Sequence, residues 1–215
     1  MKNYSLIEKK RNEIDFDIDG IVYKINDFKI QKRLGNVANA PRWAIAHKFS
    51  ANKGVSKILD IDIQVGRTGA LTPVAKIKPI NIGGVVVSNA TLHNEDEIER
   101  KDIRINDFAI IERAGDVIPH IISVDKDKRE KSSKKFNFPI KCPSCGSNTV
   151  KEFNNLTKKE DSVRRCSSEG FECEKVSIEK LKHFVSKEAF NIDGLGKKIV
   201  ENFWALKLIR LPQDI

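Results

Sequence analysis

Long apolar runs are missing from this sequence. None of its 215 residues lies in a stretch near the roughly 20 consecutive apolar positions that a membrane-spanning helix requires, so no membrane partner is expected. The opening, MKNYSLIEKKRNEID, has no apolar h-region and does not read as a secretory signal. Aromatic residues are few, at 7%, and Phe supplies 11 of them. Hydrophobic residues still make up 40%, enough for packed cores in one large domain or a few small modules. Internal repeats and long low-complexity tracts are absent. Cysteine is missing everywhere except between Cys142 and Cys173, where all four occur. Such clustering without a signal argues against a disulfide framework and for a metal site in a reducing compartment, so the expected location is cytoplasmic. Acidic residues are the minority charge: 30 Asp and Glu against 39 Lys and Arg leave a net +9. That excess suggests a polyanion partner, but a lysine-rich solvated surface has the same composition, and placement has to decide.

Four zones follow one another. Residues 1 to about 50 hold a polar, helix-like start and two strand-like runs. Residues 51 to about 125 are rich in Val, Ile, Gly and turn pairs. Leu59, Ile61, Ile63 and Val65 alternate with Asp60, Asp62 and Gln64, which predicts a half-buried strand. The run Gly66 to Gly69 (GRTG) predicts a turn, and Gly83–Gly84 a bulge or hairpin. Asn94 followed by Glu97 predicts a capped short helix, Glu95 to Arg100. Strand character returns over Ile103 to Ile111, with Asn106–Asp107 as a turn, and again over Ile118 to Val124. Several short strands with one inserted helix predict a five-stranded OB-type barrel. The polar run 126–135 (KDKREKSSKK) reads as an exposed connection. Beyond the cysteines, Ile178, Leu181, Phe184 and Val185 fall at helical spacing. Asn191 to Gly196 (NIDGLG) breaks that helix, and Lys197 to Leu208 resumes it, which is the layout of a helix-hairpin-helix unit.

Two groups of residues could carry chemistry. Cys142-x2-Cys145 (CPSCG) is a tight knuckle whose turn glycine lets both sulfurs face one ion, and Cys166 and Cys173 complete a tetrahedral thiolate set suited to Zn2+. No open coordination position is implied, so the zinc reads as structural, supplying folding free energy to a segment too short for its own core. His183 is a possible substitute ligand, but it lies on the apolar-periodic helix. The second group is a pair of apolar runs each reaching a lysine: Asp19 to Lys24 (DGIVYK) and Trp43 to Phe49 (WAIAHKF). On the second run, Trp43, Ile45, His47 and Phe49 share one face and Ala44, Ala46 and Lys48 the other. Small residues beside an ammonium leave room for a ligand and offer a phosphate contact. Each lysine alone reads equally as a solvated strand end; two such strands in one short segment weaken that reading.

At these residues a resemblance becomes specific. DGIVYK resembles the fourth nucleotidyltransferase motif of bacterial NAD-dependent DNA ligases, and Pro41 to Phe49 (PRWAIAHKF) their fifth. The runs at 66–69 (GRTG), 90–94 (ATLHN) and 113–119 (RAGDVIP) are similar to that family's OB domain, the cysteines to its zinc finger, and NIDGLG to the first hairpin of its helix-hairpin-helix domain. The resemblance covers nearly the whole chain, in the family's order. It implies a multidomain α+β chain: 1–50 the C-terminal part of an adenylation (nucleotidyltransferase) domain, 51–135 an OB fold, 136–175 a four-cysteine zinc finger and 176–215 the start of a helix-hairpin-helix domain.

The family seals nicks in duplex DNA in replication and repair, passing AMP from NAD+ to an active-site lysine, then to the 5′-phosphate, before the 3′-hydroxyl displaces it. By motif match, Lys24 and Lys48 are the implied catalytic residues, contacting the adenylate phosphate and stabilising developing charge. Asp19 falls at the acidic position of the fourth motif, near the implied Mg2+ or Mn2+. Arg67, Thr68, Arg113, Val117, Ile118 and Pro119 fall where the OB domain approaches nicked double-stranded DNA. Gly194 and Gly196 fall where backbone amides would reach a DNA phosphate.

Some features differ from the family pattern. Its nucleophile is the lysine of a Lys-x-Asp-Gly motif, whereas the Asp-Gly pairs here, Asp19–Gly20 and Asp193–Gly194, are preceded by Asp17 and Asn191 at the lysine position. No run in this sequence resembles the module that grips the nicotinamide half of NAD, and one run resembles a hairpin where the family has several. The Cys166–Cys173 spacing is one residue longer, and Asn89 stands where arginine is common. The expectation is therefore a fragment, or one half of a split enzyme working with a separate chain, unable to self-adenylate alone. A non-catalytic OB and zinc-finger nucleic-acid-binding protein is the alternative, with residues 1–50 dispensable; an RNA-binding translation factor is a more remote one.

Overall fold

The computed structural model describes residues 2–16, 18–38, 40–113, 118–156 and 158–215. Helix α1 (Lys2–Lys10) leads to strand β1 (Gly20–Lys24), helix α2 (Phe28–Leu34), the short strands β2 (Asn36–Val37) and β3 (Ala40–Pro41), and β4 (Ala44–Lys48). β1 and β4 form a two-stranded antiparallel sheet. Then come β5 (Asn52–Val65), β6 (Leu71–Ile82), β7 (Val85–Thr91), helix α3 (Glu95–Lys101), β8 (Arg104–Ile105), β9 (Phe108–Arg113) and β10 (His120–Val124). β5, β6, β7, β10 and β9 close into a barrel in that order. Its closing β7–β10 contact is parallel and its other pairings antiparallel, with α3 inserted before the fourth strand. That is the connectivity expected of an OB-type barrel.

The barrel interior is aliphatic. Ile58, Ile111 and Ile121 have no exposed surface, and burying each contributes about 1.5–3 kcal/mol. β5 is longer than the alternating run predicted, because it pairs with β9 over its first half and β6 over its second. The handover is a bulge between Ile58 and Asp60. An extra residue there shifts the alternation, so Ile58 turns inward and Leu59, assigned inward from its spacing, is 52% exposed. Gly54 lies against the core: a Cβ there would meet Ile80 and Ile82 at 3.0 Å. Gly83 and Gly84, at φ 61° and 86°, make the predicted hairpin between β6 and β7. Asn94 caps α3 as expected, its side chain accepting from the Glu97 amide at 2.9 Å.

The run 126–135 is not a free connection. Arg129 reaches back to the barrel: its Nε donates to Asp107 Oδ1 at 3.0 Å and its Nη2 to Asp107 Oδ2 at 2.8 Å, while Nη1 pairs with Asp102. Asp107 has no exposed surface and also accepts from the Ser133 hydroxyl and the Arg104 amide. Strand β11 (Lys134–Lys135) pairs with β8, and Phe136 and Phe138 pack against the barrel core. The charged composition hid this, because one buried carboxylate dictates where a single arginine of the run must go.

A hairpin of β12 (Thr149–Asn154) and β13 (Lys159–Cys166) follows, then helices α4 (Glu174–Phe184) and α5 (Lys197–Ala205). Ile178, Leu181, Val185, Val200, Trp204 and Ile209 form the core between these helices. α5 ends at Ala205, short of the predicted Leu208, with Lys207 at φ 59° closing its end. No helix among the described residues is long and apolar enough to cross a membrane.

Candidate nucleotide, metal and nucleic-acid sites

The β1–β4 register decides where the first candidate residues go. Gly20 lies opposite Lys48, Val22 opposite Ala46 and Lys24 opposite Ala44. Side chains of directly opposed residues point to one face, so Lys24 and Lys48 share a face with Gly20, Val22, Ala44 and Ala46 between them. They occupy opposite corners, four residues or roughly 13 Å apart along the ladder, and long flexible stems let both ammonium groups turn toward its centre. Gly20 is required by packing: a Cβ there would sit 2.5 Å from the His47 carbonyl oxygen. Lys48 Nζ lies 3.5 Å from Asp19 Oδ2 with both side chains more than half exposed, so this pair faces solvent. Behind the sheet, Tyr4 of α1 stacks on His47 at 4.1 Å and its hydroxyl donates to the Lys48 carbonyl at 3.0 Å. Glu8 accepts from the Ser50 amide. This backing by α1 was not anticipated; Tyr4 and Glu8, four residues apart on a polar helix, were its only sequence trace.

Arg67 and Thr68 occupy the β5–β6 turn, which is closed by Gly66 N donating to Ala70 O and Gly69 N to Gly66 O. Arg113 ends β9 opposite Asn52, and Ile118 follows before β10, 71% exposed. Val117 falls outside the described residues. The β5–β6 and β9–β10 connections are the two loops with which OB barrels hold oligonucleotides. Thr91 pairs with Val74 of β6 and His120 of β10, joining the strands that follow those connections. The rings of His93, which lies in the run 90–94, and His120 stand 5.6 Å apart between centroids, and burial followed by His120 lowers the His93 pKa. Arg67 and Thr68 also border a cavity of about 440 Å³ with Lys180, His183, Phe184 and Phe190, so the turn meets the helical unit as well. Gly194, at φ 78°, and Gly196, which caps α5 at φ −72°, sit where an added Cβ would meet nothing within 4 Å. Only Gly194 needs glycine for its backbone; outside both residues the space is open.

The four cysteines converge. Their sulfurs all lie within 4.8 Å of one another, with Cys142 and Cys173 at 3.9 Å and Cys145 and Cys166 at 3.4 Å. Four thiolates on a tetrahedral ion with ~2.3 Å bonds stand about 3.8 Å apart, so the set fits a metal. Gly146 at φ 76° makes the knuckle turn, its amide donating to the Cys142 carbonyl. Burial pushes the Cys142 thiol up to about 12. At Cys145 burial also opposes ionisation, but hydrogen bonds from Ser147 and the neighbouring thiols outweigh it and bring the thiol down to about 6. His183 is not in the cluster but beside the Arg67 turn. The cluster core is shared with the barrel through Val65 and Leu71. Arg164 and Lys151 pair with Glu95 at 3.0 and 3.1 Å, tying the hairpin to α3. Charges so far apart in sequence carried no local signal of pairing.

Comparison with known proteins agrees along the chain. Residues 1–52 match the model of the NAD-dependent DNA ligase adenylation domain, and residues 55–133 that of the NAD-dependent DNA ligase OB-fold domain. The chain is 73% identical to a DNA ligase of Pelagibacter ubique over its full length, which is 32% of that protein. It is 54% identical to a DNA ligase of Xanthobacter autotrophicus and 56% identical to one of Beijerinckia indica, each over 99% of this chain and 29% and 30% of those proteins. The chain thus spans about a third of the length of the curated relatives it matches.

Proposed function

The chain belongs to the NAD-dependent DNA ligase family, and from that premise we propose that it supplies the phosphate-stabilising and DNA-gripping part of a nick-sealing enzyme of replication and repair. The observation that carries the reading is the antiparallel register that brings Lys24 and Lys48 to one small-residue face. An adenylate phosphate held there gains two ammonium groups as its charge develops. Asp19, beside Lys48, restrains that lysine and is the carboxylate that would help hold a divalent cation, Mg2+ or Mn2+. NAD+, when bound, supplies the adenylyl group. The sequence contains no Lys-x-Asp-Gly, so its lysines stabilise charge and the attacking amine lies elsewhere.

On the DNA side, Arg67, Thr68, Arg113 and Ile118 face the duplex beside the nick. The turn at Gly194 and Gly196 is the first hairpin of a helix-hairpin-helix unit, with backbone amides toward a phosphate. The cysteines hold a structural Zn2+. Binding on this plan is independent of sequence and weakens steeply with salt. The test is complementation: the purified chain is mixed with a polypeptide carrying the family's N-terminal half, and sealing of a nicked duplex is measured. Sealing should appear, and Lys48→Ala should reduce it about 10²–10³-fold with DNA affinity nearly unchanged. Full sealing by that variant refutes the phosphate role.

A further inference from the structure

The β5–β6 turn is built partly from the cysteine module. Cys166 commits its thiol to the four-cysteine cluster and its amide to the turn, donating to the Gly69 carbonyl at 2.9 Å. Ala70 and Arg165 form a lone antiparallel bridge beside it. The approach is tight: a Cβ on Gly69 would stand 3.2 Å from the Cys166 carbonyl oxygen, and Gly69 already holds φ 77°. Arg165 completes the link. Its Nη1 donates to Thr68 Oγ1 at 3.2 Å, while Nη2 is anchored on Asp161 Oδ2 at 2.9 Å. One guanidinium fork therefore spans from the metal-side strand to the turn, and the next residue is a metal ligand. Arg67 sits next to Thr68 in that turn, so the turn's backbone sets the direction in which it projects.

We propose that Arg165 is a positioning residue that locks the 66–69 turn to the four-cysteine cluster, and that metal in the cluster and a nucleic-acid backbone on the turn therefore bind cooperatively. Metal fixes Cys166, Cys166 and Arg165 fix the turn, and the fixed turn presents Arg67. Thermodynamic linkage makes the effect reciprocal: DNA on the turn must hold the metal in by the factor with which metal tightens DNA. This rests on the reading that the turn faces DNA and the cluster holds zinc.

The experiment measures the equilibrium affinity of the chain for zinc by competition with a chromogenic chelator, with and without saturating nicked duplex. Binding is followed separately by fluorescence anisotropy, and zinc content is checked beforehand. Duplex should tighten zinc affinity about fivefold, the low end of typical coupling. Arg165→Ala should abolish that gain. Arg165→Lys should do the same, because a point charge cannot span Asp161 and Thr68 together, while the salt slope of DNA binding stays as in the parent. Thr68→Val leaves the Arg165–Asp161 pair intact and should also abolish the affinity gain, which covers failure of the arginine variants to fold. A chain that does not bind the duplex overturns the interface reading and the coupling with it. DNA binding with no change in zinc affinity overturns the coupling alone. An affinity gain surviving in all three variants overturns the role of Arg165.

Discussion

Replacing Arg129 by Ala leaves the Asp107 carboxylate, which has no exposed surface, without its charge partner. The Ser133 hydroxyl and Arg104 amide still donate to it, but two neutral donors do not replace a bidentate cation. Breaking a buried ion pair by removing one member costs about 3–5 kcal/mol. For a chain of this size each kcal/mol moves the melting midpoint by ~2–4 °C, so Arg129→Ala should melt roughly 6–20 °C lower. The same change frees the segment that carries β11, Phe136 and Phe138, so hydrogen exchange should rise along 126–138 before the rest of the barrel. Asp107→Asn combined with Arg129→Met, which removes both charges, should recover much of the loss. Calorimetry and denaturant titration on the two variants and the parent decide it. A midpoint drop under about 2 °C for Arg129→Ala, or a double variant no better than the single, would refute the claim that this pair anchors the connection.

Two more outcomes follow from the same structure. Gly20→Ala should break the β1–β4 pairing, since its Cβ would stand 2.5 Å from the His47 carbonyl oxygen; limited proteolysis should then cut within 18–50 while the barrel stays protected, and an unchanged digest counts against the tight approach. Asp102 is held down to about 2, first by Arg129 and then by Arg104, and Glu97 to about 2, first by Arg100 and then by Lys101. Both folded values lie below the unfolded ones, so their stabilisation is complete above about pH 5 and is lost as pH falls from there through 2. The melting midpoint should fall over that window, less steeply in Arg129→Ala because Asp102 then returns toward its ordinary range; equal slopes would dismiss Arg129 as the cause.

Much of the barrel was legible because its signals are local. A capping asparagine three residues before its partner, a Gly-Gly hairpin, and period-two alternation each act within a few residues, and all three produced the predicted elements. The convergence of the four cysteines was legible for a related reason: free cysteine has few other uses that cluster, and the Cys-x2-Cys knuckle is itself a local turn. Leu59 was misassigned because a bulge is fixed by the partner strand, not by the run that contains it.

Lys24 and Lys48 mark the division. That each ends an apolar run is a property of its own segment. That they share one face depends on pairing Gly20 with Lys48 and not with a neighbour, and a shift of one residue would have put them on opposite sides. The same holds for Arg165 with Thr68, Arg129 with Asp107 and Arg164 with Glu95, which join positions 97, 22 and 69 residues apart. Charge patterning along the chain carries no trace of such pairs, because a side chain several carbons long finds its partner only after backbone packing has brought the two within reach. Composition and local pattern determined what the modules are; only the folded barrel, by placing its turn against Cys166, decided which of them are mechanically joined.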